Sequence, residues 1–101
     1  MDVKPVEFHP EALAEAEAAL KWYAERSDRA ARSLLADLEK AIETISKAPK
    51  RWPEFEPPCR RYPLVRFPFF VVYHEEARSI TVIAVAHGRR RPGYWRVRGG
   101  L

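Results

Sequence analysis

Cysteine, glycine and long apolar runs are scarce in this 101-residue chain, and each scarcity excludes a class of protein. The single cysteine, Cys59, allows no intramolecular disulfide, which argues against a disulfide-stapled domain and favours a reducing compartment. The four glycines form no phosphate-binding loop. No apolar run approaches the ~20 residues of a membrane-spanning helix, and the first residues lack the apolar core of a signal peptide. We therefore expect a cytoplasmic protein with no membrane association.

Lysine is absent from residues 58–101, where every basic residue is arginine. This part carries 9 Arg and 2 Glu, a net charge of +7. Residues 1–57 carry 9 Lys and Arg against 12 Asp and Glu, so their −3 and the +7 sum to +4. Arginine has a planar, multi-donor head suited to phosphates, carboxylates and aromatic faces. The skew favours a docking face for RNA, DNA or an acidic protein over a merely solvated basic surface.

Metal-ligand spacing and nucleophile motifs are also missing. The three histidines, His9, His74 and His87, are far apart in the sequence, and Cys59 has no neighbouring ligand. We therefore predict neither a metal site nor a cofactor. Because Cys59 follows two prolines and has no helix start beside it, we interpret it as a half-buried bystander and not as a nucleophile.

The first half of the chain has the pattern of an edge strand followed by two helices. Residues 3–8 alternate in part and contain a proline, which cannot donate to a strand ladder. Helical spacing of apolar residues follows, with a proline at the first helix start and a polar cap at the second. The first helix is predicted from His9 to about Arg26, and the second from Ser27 or Asp28 to Pro49. So short a link makes the helices an antiparallel hairpin, whose apolar stripes need a sheet to cover them.

After a proline-rich connector the pattern changes to the two-residue period of strands. Three strands are predicted, over residues 60–67, 69–74 and 79–86, with a hairpin turn before the last. Simple alternation puts Ile80, Val82, Ala84 and Ala86 on one face of the last strand, and Thr81, Ile83, Val85 and His87 on the other. Because both faces are largely apolar, this strand should be central in its sheet.

These elements predict one α+β domain over residues 1–101. It contains an N-terminal strand, an antiparallel helical hairpin and a three-stranded antiparallel sheet packed against the helices. Trp52 and Phe55 of the connector should lie against the body of the domain. The sheet face opposite the helices, or its rim, should be free for a partner.

Three stretches of the second half resemble the RelE/ParE toxin superfamily. They are residues 60–73 (RRYPLVRFPFFVVY), 80–90 (ITVIAVAHGRR) and 92–95 (PGYW). The likeness extends over nearly the whole chain and is nearest to the ParE-like members labelled plasmid stabilisation proteins. It implies the fold derived above and the toxin half of a type II toxin–antitoxin system. It also implies a partner, a small and often acidic antitoxin whose tail would be attracted by the positive second half.

Two activities occur in this superfamily, and they need different residues. RelE-like members cut mRNA on the ribosome and carry an arginine before the apolar run of the penultimate strand. The matching position here is Phe70, which cannot stabilise the charge on a phosphate. The resemblance therefore favours the ParE-like activity, binding and inhibition of DNA gyrase, with ribosome-dependent mRNA cleavage as the alternative. For a nuclease, the candidate catalytic residues are His87 as base, Arg89 and Tyr94.

The expected contacts with a target or antitoxin are mainly arginines, because a few Arg, Trp and Tyr side chains supply much of the energy of an interface. They are Arg60, Arg61, Arg66, Arg89, Arg90 and Arg91, with Trp95 as an anchor. A third interpretation stays open, in which the chain is a non-toxic module that only binds an antitoxin.

Overall fold

The computed structural model describes residues 3–98, which form one sheet covered by two helices. The elements are β1 (Val6–Phe8), α1 (Pro10–Ala24), α2 (Asp28–Lys47), β2 (Arg60–Pro63), β3 (Phe69–Glu75), β4 (Ile80–His87) and a 3-10 turn (Tyr94–Val97). The strand order is β1-β4-β3-β2, with β1 parallel to β4 and the other pairs antiparallel. The predicted α+β arrangement is confirmed, and the last strand is central as expected.

Side-chain caps explain where both helices begin. Nδ1 of His9 accepts a hydrogen bond from the Glu11 amide at 3.1 Å, and Pro10 is the first residue of α1. Oγ of Ser27 accepts from the Ala30 amide at 3.1 Å, so serine is the one of the two predicted caps that α2 uses. Each cap satisfies an amide that the first turn of a helix leaves without a partner.

The main core lies between the helices and one face of the sheet, here called the helix face. α2 buries Leu34, Leu38, Ala41 and Ile45, which recur every three or four residues. α1 contributes only small residues to the buried set, Ala12, Ala16 and Ala19, so it can lie close to β4. Each large apolar side chain that is fully buried stabilises the fold by about 1.5–3 kcal/mol.

A β-bulge in β4 overturns the predicted assignment of residues to sheet faces. Val72 of β3 pairs with Ala84 and Tyr73 pairs with Val82, so Ile83 has no partner on β3. The extra residue shifts the alternation by one position. Ile80, Val82 and Val85 are therefore part of the core on the helix face. Ala84 and Ala86 lie on the opposite, outer face.

The outer face of the sheet is not free over its middle, contrary to the prediction. A second cluster of buried residues lies there, consisting of Cys59, Val72, Ile83, Ala84, Ala86 and Trp95. Phe55 from the connector and Tyr94 from the 3-10 turn pack against it. Trp52 packs against the main core, so the expected docking of Trp52 and Phe55 on the body is confirmed.

The second strand is shorter than predicted and ends at Pro63 instead of residue 67. The amide of Leu64 donates to the carbonyl of Phe69 at 2.9 Å, which closes a loop over residues 65–68. The chain therefore reverses direction before the predicted strand end. Within residues 3–98, no helix combines the length and the apolar character needed to cross a membrane.

Candidate functional site

An arginine-rich loop, residues 88–92, follows β4 and is here called the arginine loop. Its first amide, that of Gly88, donates to the carbonyl of Pro68 at 2.8 Å, which ties the loop to the turn before β3. The Arg90 amide donates to the carbonyl of His87 at 2.9 Å. The side chains of Arg89, Arg90 and Arg91 are all exposed. The loop therefore presents three adjacent cations at one end of the sheet.

A groove of about 460 Å³ lies beside this loop, between α1 and the helix face of the sheet. We call it the α1 groove. Its lining residues are Glu15, Ala18, Ala19, Trp22, Tyr23, Phe69, Val85, His87, Arg90 and Tyr94. The β-bulge is what brings His87 here, because regular pairing of the same residues, with Ile83 in the ladder, would point its side chain to the outer face. The groove combines apolar walls with one carboxylate, one histidine and one arginine.

Glu15 is the most heavily bonded side chain of the groove. Its Oε1 accepts hydrogen bonds from the Val85 amide at 2.9 Å and from the Arg98 guanidinium at 2.9 Å. Its Oε2 accepts from the Tyr94 hydroxyl at 2.7 Å and from the same guanidinium at 2.8 Å. Burial opposes ionisation, but these donors outweigh it and the pKa of Glu15 is lowered. Glu15 is therefore an ionised carboxylate that holds three parts of the chain together.

The same bonds determine the states of the two partners. Burial, reinforced by the hydrogen bond to the Glu15 carboxylate, raises the pKa of Tyr94. The hydrogen bond from Arg98 to Glu15 raises the pKa of that guanidinium, so the pair stays charged at any physiological pH. Arg98 also donates to the carbonyl of Ile83 at 2.8 Å, and only 7% of its side chain is exposed.

The three candidate nuclease residues are near one another but are not arranged as an acid–base set. Nδ1 of His87 accepts from the Arg89 amide at 3.1 Å, and its ring packs edge-on against Phe69 with 5.2 Å between centroids. The hydroxyl of Tyr94 is engaged with Glu15. The arginine that lines the α1 groove together with His87 and Tyr94 is Arg90, whereas Arg89 is not among the lining residues.

Of the other three predicted contact arginines, Arg60 and Arg66 have polar partners within the chain. Arg60 donates to the carbonyl of Trp52 at 2.6 Å. Arg66 pairs with Asp37 at 2.9 Å. Arg61 instead shares the lining of a small pocket with Gly88, Arg90 and Pro92 of the arginine loop. Arg61 therefore lies beside the loop arginines, whereas Arg60 and Arg66 are bonded to other parts of the chain.

Arg61 lies between two aromatic rings on the outer face. Its guanidinium carbon is 3.8 Å from the ring centroid of Phe55 and 4.3 Å from that of Phe70. Both distances are within the range of cation–π attraction. Phe70, which the resemblance places where a RelE-like arginine is expected, thus carries a cation from the neighbouring strand on its ring.

Trp95 was expected to be an interface anchor, but only 2% of the residue is exposed. Its ring packs against those of Phe55 and Tyr94, with centroid distances of 5.8 and 5.3 Å. The indole belongs to the second cluster of buried residues. An aromatic residue in an arginine-rich segment is typical both of an interface and of a tail that packs on the core. In this chain Trp95 belongs to a tail that packs on the outer face of the sheet.

Sequence reasoning missed Glu15 and Arg98. A signal for Glu15 existed, because it lies three residues after Ala12 and four before Ala19, on the helical side that is buried against the sheet. An acidic residue between buried alanines needs a cationic or hydrogen-bonding partner. Nothing in the local pattern identified that partner as Arg98, which lies 83 residues further along the chain.

Comparison with known proteins agrees with this architecture. The family model described as the ParE toxin of the type II toxin–antitoxin system parDE matches residues 6–92. The chain belongs to the ParE toxin family. A solved structure described as the chromosomal ParDE TA system from P. aeruginosa superposes on this family member with a TM-score of 0.73. The two are 16% identical, and the match covers 84% of this chain and 96% of that chain.

The structural likeness shows that this ParE-family chain shares its fold with a solved structure, and the search of curated proteins found no match to its sequence. The family match ends at residue 92, so the 3-10 turn and Arg98 lie beyond it. In the described part of the chain, no group of three or more His, Cys, Asp or Glu side chains is arranged to hold a metal ion.

Proposed function

We propose that this ParE-family chain is a toxin that acts in the cytoplasm by binding and inhibiting DNA gyrase, without breaking a bond itself. A small acidic antitoxin neutralises it by covering the arginine loop. One observation carries the proposal: Arg89, Arg90 and Arg91 are exposed side by side next to a groove with apolar walls. Exposed arginines beside aromatic and aliphatic side chains are the composition from which protein interfaces draw their energy.

The pairing of the arginines supports an acidic partner for this loop. Arg66, Arg96 and Arg98 each form an ion pair with a carboxylate of the chain itself. None of the ion pairs among residues 3–98 involves the three arginines of the loop. Their charges are therefore available to carboxylates or phosphates of another molecule, and they would also speed its encounter.

The surroundings of Tyr94 and Phe70 favour binding over mRNA cleavage. A general acid or base must exchange its proton with the substrate, but the Tyr94 hydroxyl donates to Glu15 and has a raised pKa. The position of the RelE-type arginine holds the apolar ring of Phe70, which Arg61 covers. Phe70 itself offers no charge to the phosphate in RNA cleavage, and the Arg61 guanidinium above it is held between two aromatic rings.

The first test is a pulse-label of DNA and protein synthesis after induced expression in a bacterium, with and without the neighbouring gene. Gyrase inhibition predicts that DNA synthesis fails first and that co-expression of the antitoxin restores it. Protein synthesis that stops within minutes would instead identify an mRNA nuclease built on His87, Arg89 and Tyr94. Unchanged synthesis of both would leave a non-toxic module that binds its antitoxin.

A second test locates the interface. Replacement of Arg89, Arg90 and Arg91 by alanine should abolish toxicity and weaken binding to gyrase by up to about 100-fold, because each exposed charge contact contributes modestly. The matched control replaces three exposed arginines far from the loop in sequence. These are Arg29, Arg32 and Arg78. Full toxicity of the loop variant, or an equal loss in the control, would place the functional surface elsewhere.

A further inference from the structure

The edge of β4 that faces away from β3 is only half covered by a strand. β1 pairs with it from Ile80 to Val82, and the amide of His9 makes the last contact with the Val82 carbonyl at 2.9 Å. Beyond that point the polar backbone groups of the edge bond to side chains. Arg98 donates to the carbonyl of Ile83, and Glu15 accepts from the amide of Val85.

The two side chains that complete this edge are bonded to each other. Both carboxylate oxygens of Glu15 accept from Arg98, at 2.9 and 2.8 Å, in a bidentate pair. Exposed fractions of 18% and 7% show that water has little access to either side chain. Charge-assisted bidentate pairs of this kind are strong and have a defined geometry. We call Glu15, Tyr94 and Arg98 the clamp.

The clamp reaches the arginine loop through Tyr94. Its hydroxyl donates to Glu15 at 2.7 Å, and the guanidinium of Arg90 stacks on its ring at 3.9 Å from the centroid. The other end of the loop is held where Gly88 bonds to Pro68. The loop therefore spans two fixed points, one at the end of β4 and one at the clamp.

We propose that Glu15 is a positioning residue, which holds the arginine loop in the conformation that the partner binds. The inference rests on the proposed function, because it assumes that this loop contacts gyrase. A loop that is ordered before binding loses less conformational entropy on association, so its affinity is higher with no additional contact. The clamp raises affinity in this way, although Glu15 carries a charge opposite to that of the loop.

The test compares Glu15→Gln with Glu17→Gln, an exposed glutamate two residues away on the same helix. Amide hydrogen exchange should speed up about tenfold or more in residues 88–98 of the first variant, while β3 keeps the rate of the wild type. Affinity for purified gyrase, measured well below the melting temperature, should fall about tenfold or more. The dependence of affinity on salt should stay unchanged, because all three loop arginines remain. The control variant should match the wild type in all three measurements.

A second variant keeps the test decisive if Glu15→Gln fails to fold. Tyr94→Phe removes one hydrogen bond of the clamp and preserves the pair between Glu15 and Arg98. It should give a smaller change in the same direction in both exchange and affinity. Faster exchange with unchanged affinity would overturn the positioning role, and so would unchanged exchange. If the wild type itself binds no gyrase, the proposed function fails and the inference falls with it.

Discussion

Replacement of Trp95 by alanine distinguishes a core residue from an interface anchor. Trp95 is 2% exposed and packs in the second cluster, which also contains Ala84 and Ala86. These neighbours are short side chains on a strand, so they cannot fill the cavity that the substitution leaves. Truncation of a buried tryptophan costs about 3–5 kcal/mol, and we expect a value within that range here. Domains of this size are stable by about 5–15 kcal/mol, so the variant should still fold at low temperature.

Thermal unfolding followed by circular dichroism measures this effect. A loss of 3 kcal/mol or more should lower the Tm by at least about 12 °C in a domain of this size. Val97→Ala is the matched control, because that side chain lies in the same 3-10 turn and is 91% exposed. A Trp95→Ala variant that melts within 2–3 °C of the wild type but no longer binds gyrase would refute the argument. It would show that the indole faces the partner.

Two further predictions concern titratable groups. Tyr73→Phe should lower the free energy of unfolding by about 1–2 kcal/mol, since the buried hydroxyl donates to the Pro49 carbonyl at 2.6 Å. Burial raises the pKa of Tyr73 from 10.0 to about 12, so its contribution to stability is complete below pH 10.0 and declines above it. In an absorbance titration, the variant should show one fewer tyrosine that ionises at high pH than the wild type does. The lowered pKa of Glu15 makes its contribution complete above its ordinary value of 4.5 and lost as pH falls through the folded-state value. Denaturant melts of Glu15→Gln should therefore depend less on pH in the acid range, and an unchanged slope would contradict the bonding around Glu15.

The order of elements could be predicted from the sequence because each signal was local. A proline after His9 and the serine at position 27 mark helix starts by chemistry that acts within one turn. The family resemblance, confirmed by the match to residues 6–92, depends on similar short stretches. These parts of the fold needed no knowledge of distant contacts.

The errors arose where distant residues decide the structure. Residues 80–86 are almost all apolar, so alternation could not indicate that Ile83 is an extra residue in the ladder. The packing of Trp95 depends on Phe55 from a connector that has no periodic pattern. The partner of Glu15 comes from the other end of the chain. The arginines have identical local signals, although some are paired within the molecule and others are not.

The bulge at Ile83 gives this one position a different tolerance to substitution and to deletion. Another apolar residue there would keep the backbone path and lose only part of a cluster on the outer face. Deletion of the residue would remove the bulge and leave the pairs on either side in register, so every side chain after it would keep its face and His87 would remain in the α1 groove. Relatives that are one residue shorter at this position should therefore present the same side chains to α1, whereas a deletion elsewhere in the strand would exchange the faces of the residues after it.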